Sequence, residues 1–184
     1  NPNQFIVDWT RVRKWAGADA VSTVGAQENS NFPIVEHFDY QSGQTLRTVG
    51  AVNGWQAFGG TANNLLVVSG NLTYADNNYP MPPTGNQVQI SNTFTDDDIL
   101  VFEPQSGDGT KVYSSFLLNV TNSTGLNSSG SNFLFLGTGI NDGAVLRSRI
   151  GSGANYNIGL SRRDAGPFTY SGDLDVGTTY LIVF

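Results

Sequence analysis

Apolar and polar residues alternate with a period of two along short stretches of the chain, and no stretch sustains the 3.6-residue repeat of an amphipathic helix. In the first run, Phe5–Trp15, Phe5, Val7 and Trp9 fall on one side, and Ile6, Asp8, Thr10 and Val12 on the other. Further runs cover Ile34–Tyr40, Leu65–Ser69, Gln87–Ser91, Ile99–Phe102 and Lys111–Val120. The series closes with Phe133–Leu136, Ala144–Ile150, Tyr156–Ser161 and Thr179–Phe184. Clusters of Gly, Asn, Asp and Pro separate them, as in Tyr79-Pro80-Met81-Pro82-Pro83, residues that accept the backbone angles of tight turns. About ten strands at this spacing predict an all-β fold of two antiparallel sheets packed as a β-sandwich.

One hairpin can be read to its register. With the turn centred on Gly153, Ile150 faces Tyr156, Ser148 faces Ile158 and Leu146 faces Leu160. That register collects Leu146, Ile150, Tyr156, Ile158 and Leu160 on one face, and Arg147, Arg149, Asn157 and Ser161 on the other. A slip of one residue would exchange the faces, so the apolar clustering selects this pairing. The apolar face is expected to pack inward and the Arg face to meet solvent.

The division of the chain follows the same pattern. Residues 1–15 read as a strand, residues 16–32 as a small, polar, weakly patterned linker, and residues 33–184 as the main domain. The polar segment Thr121–Ser131 is the stretch most suited to local mobility.

Composition narrows the function classes. At 184 residues the chain suits one domain, or one domain plus a fragment of another, and a chain of this size buries roughly 70% of its unfolded surface and folds without staples. Net charge is −6 and no basic stripe is present, which argues against nucleic-acid binding. No apolar run approaches the ~20 residues of a membrane-spanning helix. No leader-like segment opens the chain, and its first residues read like the interior of a longer precursor. Cysteine is absent, so disulfides and thiolate metal sites are excluded. Low charge and absent cysteine fit a secreted or cell-surface bacterial protein. Sequons at Asn71, Asn119, Asn122 and Asn127 arise readily by chance in so Asn-, Ser- and Thr-rich a chain and matter only in a eukaryotic secretory setting.

Two segments resemble a known family. The run Phe5-Ile6-Val7-Asp8-Trp9-Thr10-Arg11-Val12 resembles the closing strand of concanavalin-like domains. The order Val35-Glu36-His37-Phe38-Asp39-Tyr40, Gly54-Trp55, Val112–Leu118 and Leu174–Phe184 is similar to the LamG-like jelly-roll modules of large secreted bacterial proteins. The resemblance implies a concanavalin-like jelly-roll sandwich. It also implies that strands normally follow the one ending at Phe184, the last of them resembling Phe5–Trp15. Either the chain is a piece of a longer protein, or residues 5–15 complete a sheet by strand addition, in cis or in a neighbouring copy.

Candidate chemistry is sparse. His37 is the single histidine, so any Ser-His-Asp device must use it; the alternative is a strand residue with no catalytic part. Glycoside hydrolysis needs two carboxyl groups roughly 5–10 Å apart, and the only glutamates, Glu28, Glu36 and Glu103, make no paired strand motif. Asp96, Asp97 and Asp98, with Asp142 in Asn141-Asp142-Gly143, are the candidate oxygen ligands for Ca2+, the one candidate cofactor; the other reading is solvated turns. Trp55 and Tyr79 are the candidate sugar-stacking rings, with burial in the core as the competing role for Trp55. Arg147 and Arg149, about 7 Å apart on one strand face, suit the carboxylates or sulfates of an acidic polysaccharide. Pairing with surface Asp residues is the other account of them.

These features predict a non-catalytic carbohydrate-binding or adhesive module. Two further readings stay open: a structural spacer or self-assembling domain that engages neighbouring domains or copies of itself, and an unrecognised glycoside-acting enzyme. A glycan is the expected partner; nucleic acid and membrane insertion are not.

Overall fold

The computed structural model of the protein describes residues 4–15, 33–62, 65–74, 85–91, 93–94, 96–105, 110–139, 142–162, 164 and 166–184, apart from the side chains of 4–15, 139 and 142. Among the described residues there are twelve strands: β1 (Gln4–Trp15), β2 (Ile34–Glu36), β3 (Trp55–Gly59), β4 (Leu66–Val68), β5 (Gln87–Ser91), β6 (Asp97–Leu100), β7 (Lys111–Val120), β8 (Ser131–Gly139), β9 (Asp142–Ile150), β10 (Tyr156–Ser161), β11 (Thr169–Tyr170) and β12 (Thr179–Val183). One short helix, α1 (Leu46–Val49), and a 3-10 turn at Ala51–Asn53 precede β3. The pairings among these strands are antiparallel. The all-β class read from the alternation is therefore present.

The strands form a six-stranded sheet in the order β12-β7-β1-β5-β4, with β2 also paired to β1, a four-stranded sheet β11-β10-β9-β8, and the pair β3-β6. β1 sits inside the largest sheet, in cis. One edge of it pairs with β7 from Phe5↔Val120 to Trp15↔Lys111, the register shifting between Asp8 and Thr10. Its other edge pairs first with β5, at Gln4↔Ser91 to Val7↔Val88, and then with β2, at Thr10↔Glu36 to Val12↔Ile34. The linker read at 16–32 lies outside the described residues.

Both larger sheets feed one hydrophobic cluster. The six-stranded sheet supplies Val67, Val88, Phe116, Leu118 and Val120, and the four-stranded sheet supplies Leu146, Tyr156 and Ile158. Each such side chain contributes about 1.5–3 kcal/mol on burial. Phe116 meets Phe133 of β8 and Phe184 edge-on, with ring centres 6.4 and 6.3 Å apart, which ties the sheets together at one end. Between β12 and β10–β11 the core opens into an apolar cavity of about 300 Å³ bordered by Leu160, Leu174, Leu181 and Val183.

The β9–β10 hairpin has the register read from sequence: Tyr156↔Ile150, Ile158↔Ser148 and Leu160↔Leu146. Gly153 takes φ +63° at its turn, a left-handed conformation that glycine adopts without strain. The two faces differ in degree from the simple inside–outside reading. Leu160 is 41% exposed because it borders the cavity, while Asn157 and Ser161 on the opposite face are only 6% and 5% exposed. The cause is β11 and the segment leading into it. Tyr170 pairs with Gly159 and lies so close over it that a Cβ there would stand 2.6 Å from the ring.

Polar segment 121–130 is anchored at several points. Ser123 Oγ donates to the Ala154 carbonyl at 2.6 Å, Asn127 accepts the Gly130 N–H, and Leu126 packs against the core.

Candidate functional site: the outer face of the four-stranded sheet

Alternation along β9 sends Arg147 and Arg149 to the face turned away from the core. Neither guanidinium projects freely into water. That of Arg147 lies over the Phe168 ring at 4.2 Å from its centre, and that of Arg149 over the Tyr170 ring at 3.7 Å. A cation over an aromatic face gains about 0.5–2 kcal/mol, depending on how dry the contact is. The two rings are themselves neighbours, 6.1 Å apart.

Each arginine also belongs to an Arg–Asn–Asp unit, one on either side of β9. Asn132, paired with Arg147 across β8–β9, accepts from Arg147 Nε at 2.8 Å and donates its amide to Asp164. Asn157, paired with Arg149 across β9–β10, accepts from Arg149 Nε at 3.1 Å and donates to Asp173 at 2.9 Å. The side-chain amide thus holds the guanidinium edge on one side and a carboxylate on the other.

The units differ at the terminal nitrogens. Arg147 Nη2 meets Asp164 directly at 3.2 Å, and its Nη1 reaches the Ser129 carbonyl at 3.4 Å. Among the described residues Arg149 has no ion pair and no hydrogen bond beyond Asn157. Asp173 instead accepts the Ser152 N–H at 3.3 Å besides the Asn157 amide. Hydrogen bonds from Ser152 and then Asn157 hold its carboxyl below the ordinary aspartate range.

The remaining candidates are dispersed. Trp55 opens β3 half-buried; its indole N–H donates to Glu36 at 2.8 Å and its ring lies 6.1 Å from Phe38. Glu36, 7% exposed, also accepts the Phe38 N–H and the Tyr40 hydroxyl, each at 2.7 Å. Burial, and after it the Glu36 carboxylate, pushes the Tyr40 hydroxyl upward. The segments Val35–Tyr40 and Gly54-Trp55 are therefore joined through one buried carboxylate. His37 is half-buried beside that network, and no described contact links it to a serine or carboxylate pair.

Asp96, Asp97 and Asp98 do not converge on one point. Asp96 and Asp98 turn toward Arg47, at 3.6 and 2.7 Å from its Nη2, with carboxylate side chains 0% and 1% exposed. Asp97 is exposed on strand β6. Burial is the main cause raising the Asp98 carboxyl above its ordinary range, against the pull of Arg47, and its Oδ2 is buried without a hydrogen-bond partner. Among the described residues no three His, Cys, Asp or Glu side chains gather to hold a metal ion. The backbone of Asp142 opens β9 opposite Gly139. Its side chain lies outside the described residues, as do Asn141, Arg163 and Tyr79.

Sequence reasoning found Arg147, Arg149 and Asn157 on one face but missed Phe168, Tyr170, Asp164 and Asp173. The available signal was the aromatic spacing Phe168-Thr169-Tyr170, which places two rings on one side of an extended segment. The chain matches no family model, no curated protein and no solved structure.

Proposed function

We propose that the chain is a non-catalytic carbohydrate-binding or adhesive module of a secreted or cell-surface protein, its two larger sheets forming a concanavalin-like jelly-roll sandwich. The observation that carries the reading is the paired array on the outer sheet face, Phe168 with Arg147 and Tyr170 with Arg149. The half-buried rings offer apolar edges to the C–H groups of a sugar, while guanidinium and amide groups donate to its oxygens. Holding both arginines through Asn132 and Asn157 reduces the side-chain entropy lost when a ligand binds. This reading places the sugar at Arg147 and Arg149; the N–H of Trp55 is already committed to Glu36.

Titration calorimetry with a panel of neutral and acidic oligosaccharides tests the proposal. Saturable binding is expected, weakened at least tenfold in Tyr170→Ala, which removes one of the rings, worth about 1.4 kcal/mol or more. Binding that is equal in wild type and Tyr170→Ala, or absent across the panel at millimolar concentration, overturns it.

A further inference from the structure

We infer that Arg149 is an oxyanion subsite, so that the glycan taken by this face is acidic and places one carboxylate or sulfate on the outer edge of that guanidinium. The inference rests on the preceding reading of the face as a sugar site and specifies the chemistry of its ligand.

The comparison between the two Arg–Asn–Asp units supports it. Both arginines lie over rings and both donate Nε to an asparagine. Asp164 then closes the first unit by contacting Arg147 Nη2. Nothing described closes the second. Asn157 keeps Asp173 on its far side, where Ser152 also holds it. Arg149 is left with its plane fixed by Tyr170, its Nε satisfied, and both terminal nitrogens without an acceptor among the described residues. The residue is half-buried, and neither nitrogen is among the buried unpartnered atoms.

A planar fork of N–H donors matches the two oxygens of a carboxylate or sulfate. Lysine at this position would supply the charge without the fork. In a chain with 15 acidic and 9 basic residues, a partly buried arginine that no described carboxylate contacts directly stands apart; Asp173, held by the same Asn157, attracts it through space without an ion-pair contact. Asp164 marks the position that an incoming oxyanion takes on Arg149, transferred from one unit to the other.

The test uses three defined probes at low salt: a uronic-acid oligosaccharide, a sulfated oligosaccharide, and a neutral oligosaccharide of similar length. They are titrated against wild type, Arg149→Lys, Arg149→Ala and Arg162→Ala, with circular dichroism confirming the fold of each. Arg162 is exposed and removes the same charge away from the site. At least one acidic probe is expected to bind wild type more tightly than the neutral one. Loss of a charge-assisted pair predicts that Arg149→Ala weakens it about tenfold to a hundredfold. Arg149→Lys should lose most of that affinity, and Arg162→Ala should bind like wild type. Whichever acidic probe shows this pattern identifies carboxylate or sulfate as the ligand group.

Equal binding of the acidic probe by wild type and Arg149→Ala overturns the inference. So does an equal loss in Arg162→Ala, which would make the attraction a general charge effect. Binding of the neutral probe alone overturns the oxyanion subsite while leaving the carbohydrate face standing. Failure of all three probes overturns both.

Discussion

Arg47 and Arg149 are both guanidinium groups drawn partly out of water, but their surroundings have opposite stoichiometry. Arg47 is enclosed with two carboxylates, Asp96 and Asp98, whose side chains have almost no exposure. Arg149 has a phenol ring beneath it and an amide at its edge, and no carboxylate in ion-pair contact among the described residues. In the first place charge is consumed internally, linking α1 to the β3-β6 pair. In the second it is positioned and left available. Arg147 lies between these extremes, with a ring beneath it and one half-exposed carboxylate. Stability and recognition therefore use the same residue type, separated by whether the chain brings its own counter-ion.

The largest effect that tests this contrast is Arg47→Ala. It strands two buried carboxylates, and breaking a buried pair in this way costs about 3–5 kcal/mol. Urea unfolding at neutral pH should register that loss; a cost below that of Arg147→Ala would dissolve the distinction. Arg147→Ala should cost about 1–2 kcal/mol, from the lost ring contact and a partly exposed ion pair, and the same unfolding curves measure it.

The smallest effect lies in the pH dependence, where the two regions act with opposite sign. Asp98 is raised from the usual 3.8, so its folded form holds a proton more tightly than its unfolded form. Its contribution is favourable below that value and is lost as pH rises through the folded pKa. Asp173 is lowered from the same value. Its contribution is present above 3.8 and is lost as pH falls through the folded pKa. Asp98→Asn should accordingly remove a decline in stability on the upper side of the carboxylate range, and Asp173→Asn a decline on the lower side. Unfolding curves across pH 2–7 in about unit steps separate the two, since the declines fall on opposite sides of the ordinary carboxylate range. Identical profiles for both variants would contradict the assignment.

How much of this could be read from sequence depended on how local the determining contacts are. The β9–β10 register was legible because Gly153 fixes the turn and the apolar residues of two adjacent strands agree on one face. β11 was not, since two residues give no periodicity, and its place is decided by how Tyr170 fits over Gly159. The Arg face was found, yet its character was hidden. The rings and carboxylates that distinguish Arg147 from Arg149 come from a segment beyond β10 whose return path alternation does not encode. The same holds for Arg47, which meets Asp98 at a separation of 51 residues. Glu36 was read only as a glutamate outside any paired motif, and its partner Trp55 is reached only through the turn that follows α1. The expected jelly-roll connectivity and the expected roles of Trp55, Tyr79 and the aspartates were matters of resemblance and residue type, for which alternation offers no physical signal.

The position of β1 has a consequence for the order in which the molecule can form. Its long pairing joins Phe5 to Val120 and Trp15 to Lys111, so roughly a hundred residues of chain must be looped before that ladder gains anything. The β8–β9–β10 meander closes through short turns and bears no such loop cost. The four-stranded sheet, with its ring-and-guanidinium face, is thus the part able to organise early from local contacts. The six-stranded sheet stays open at its middle until a strand from the start of the chain is inserted between two others.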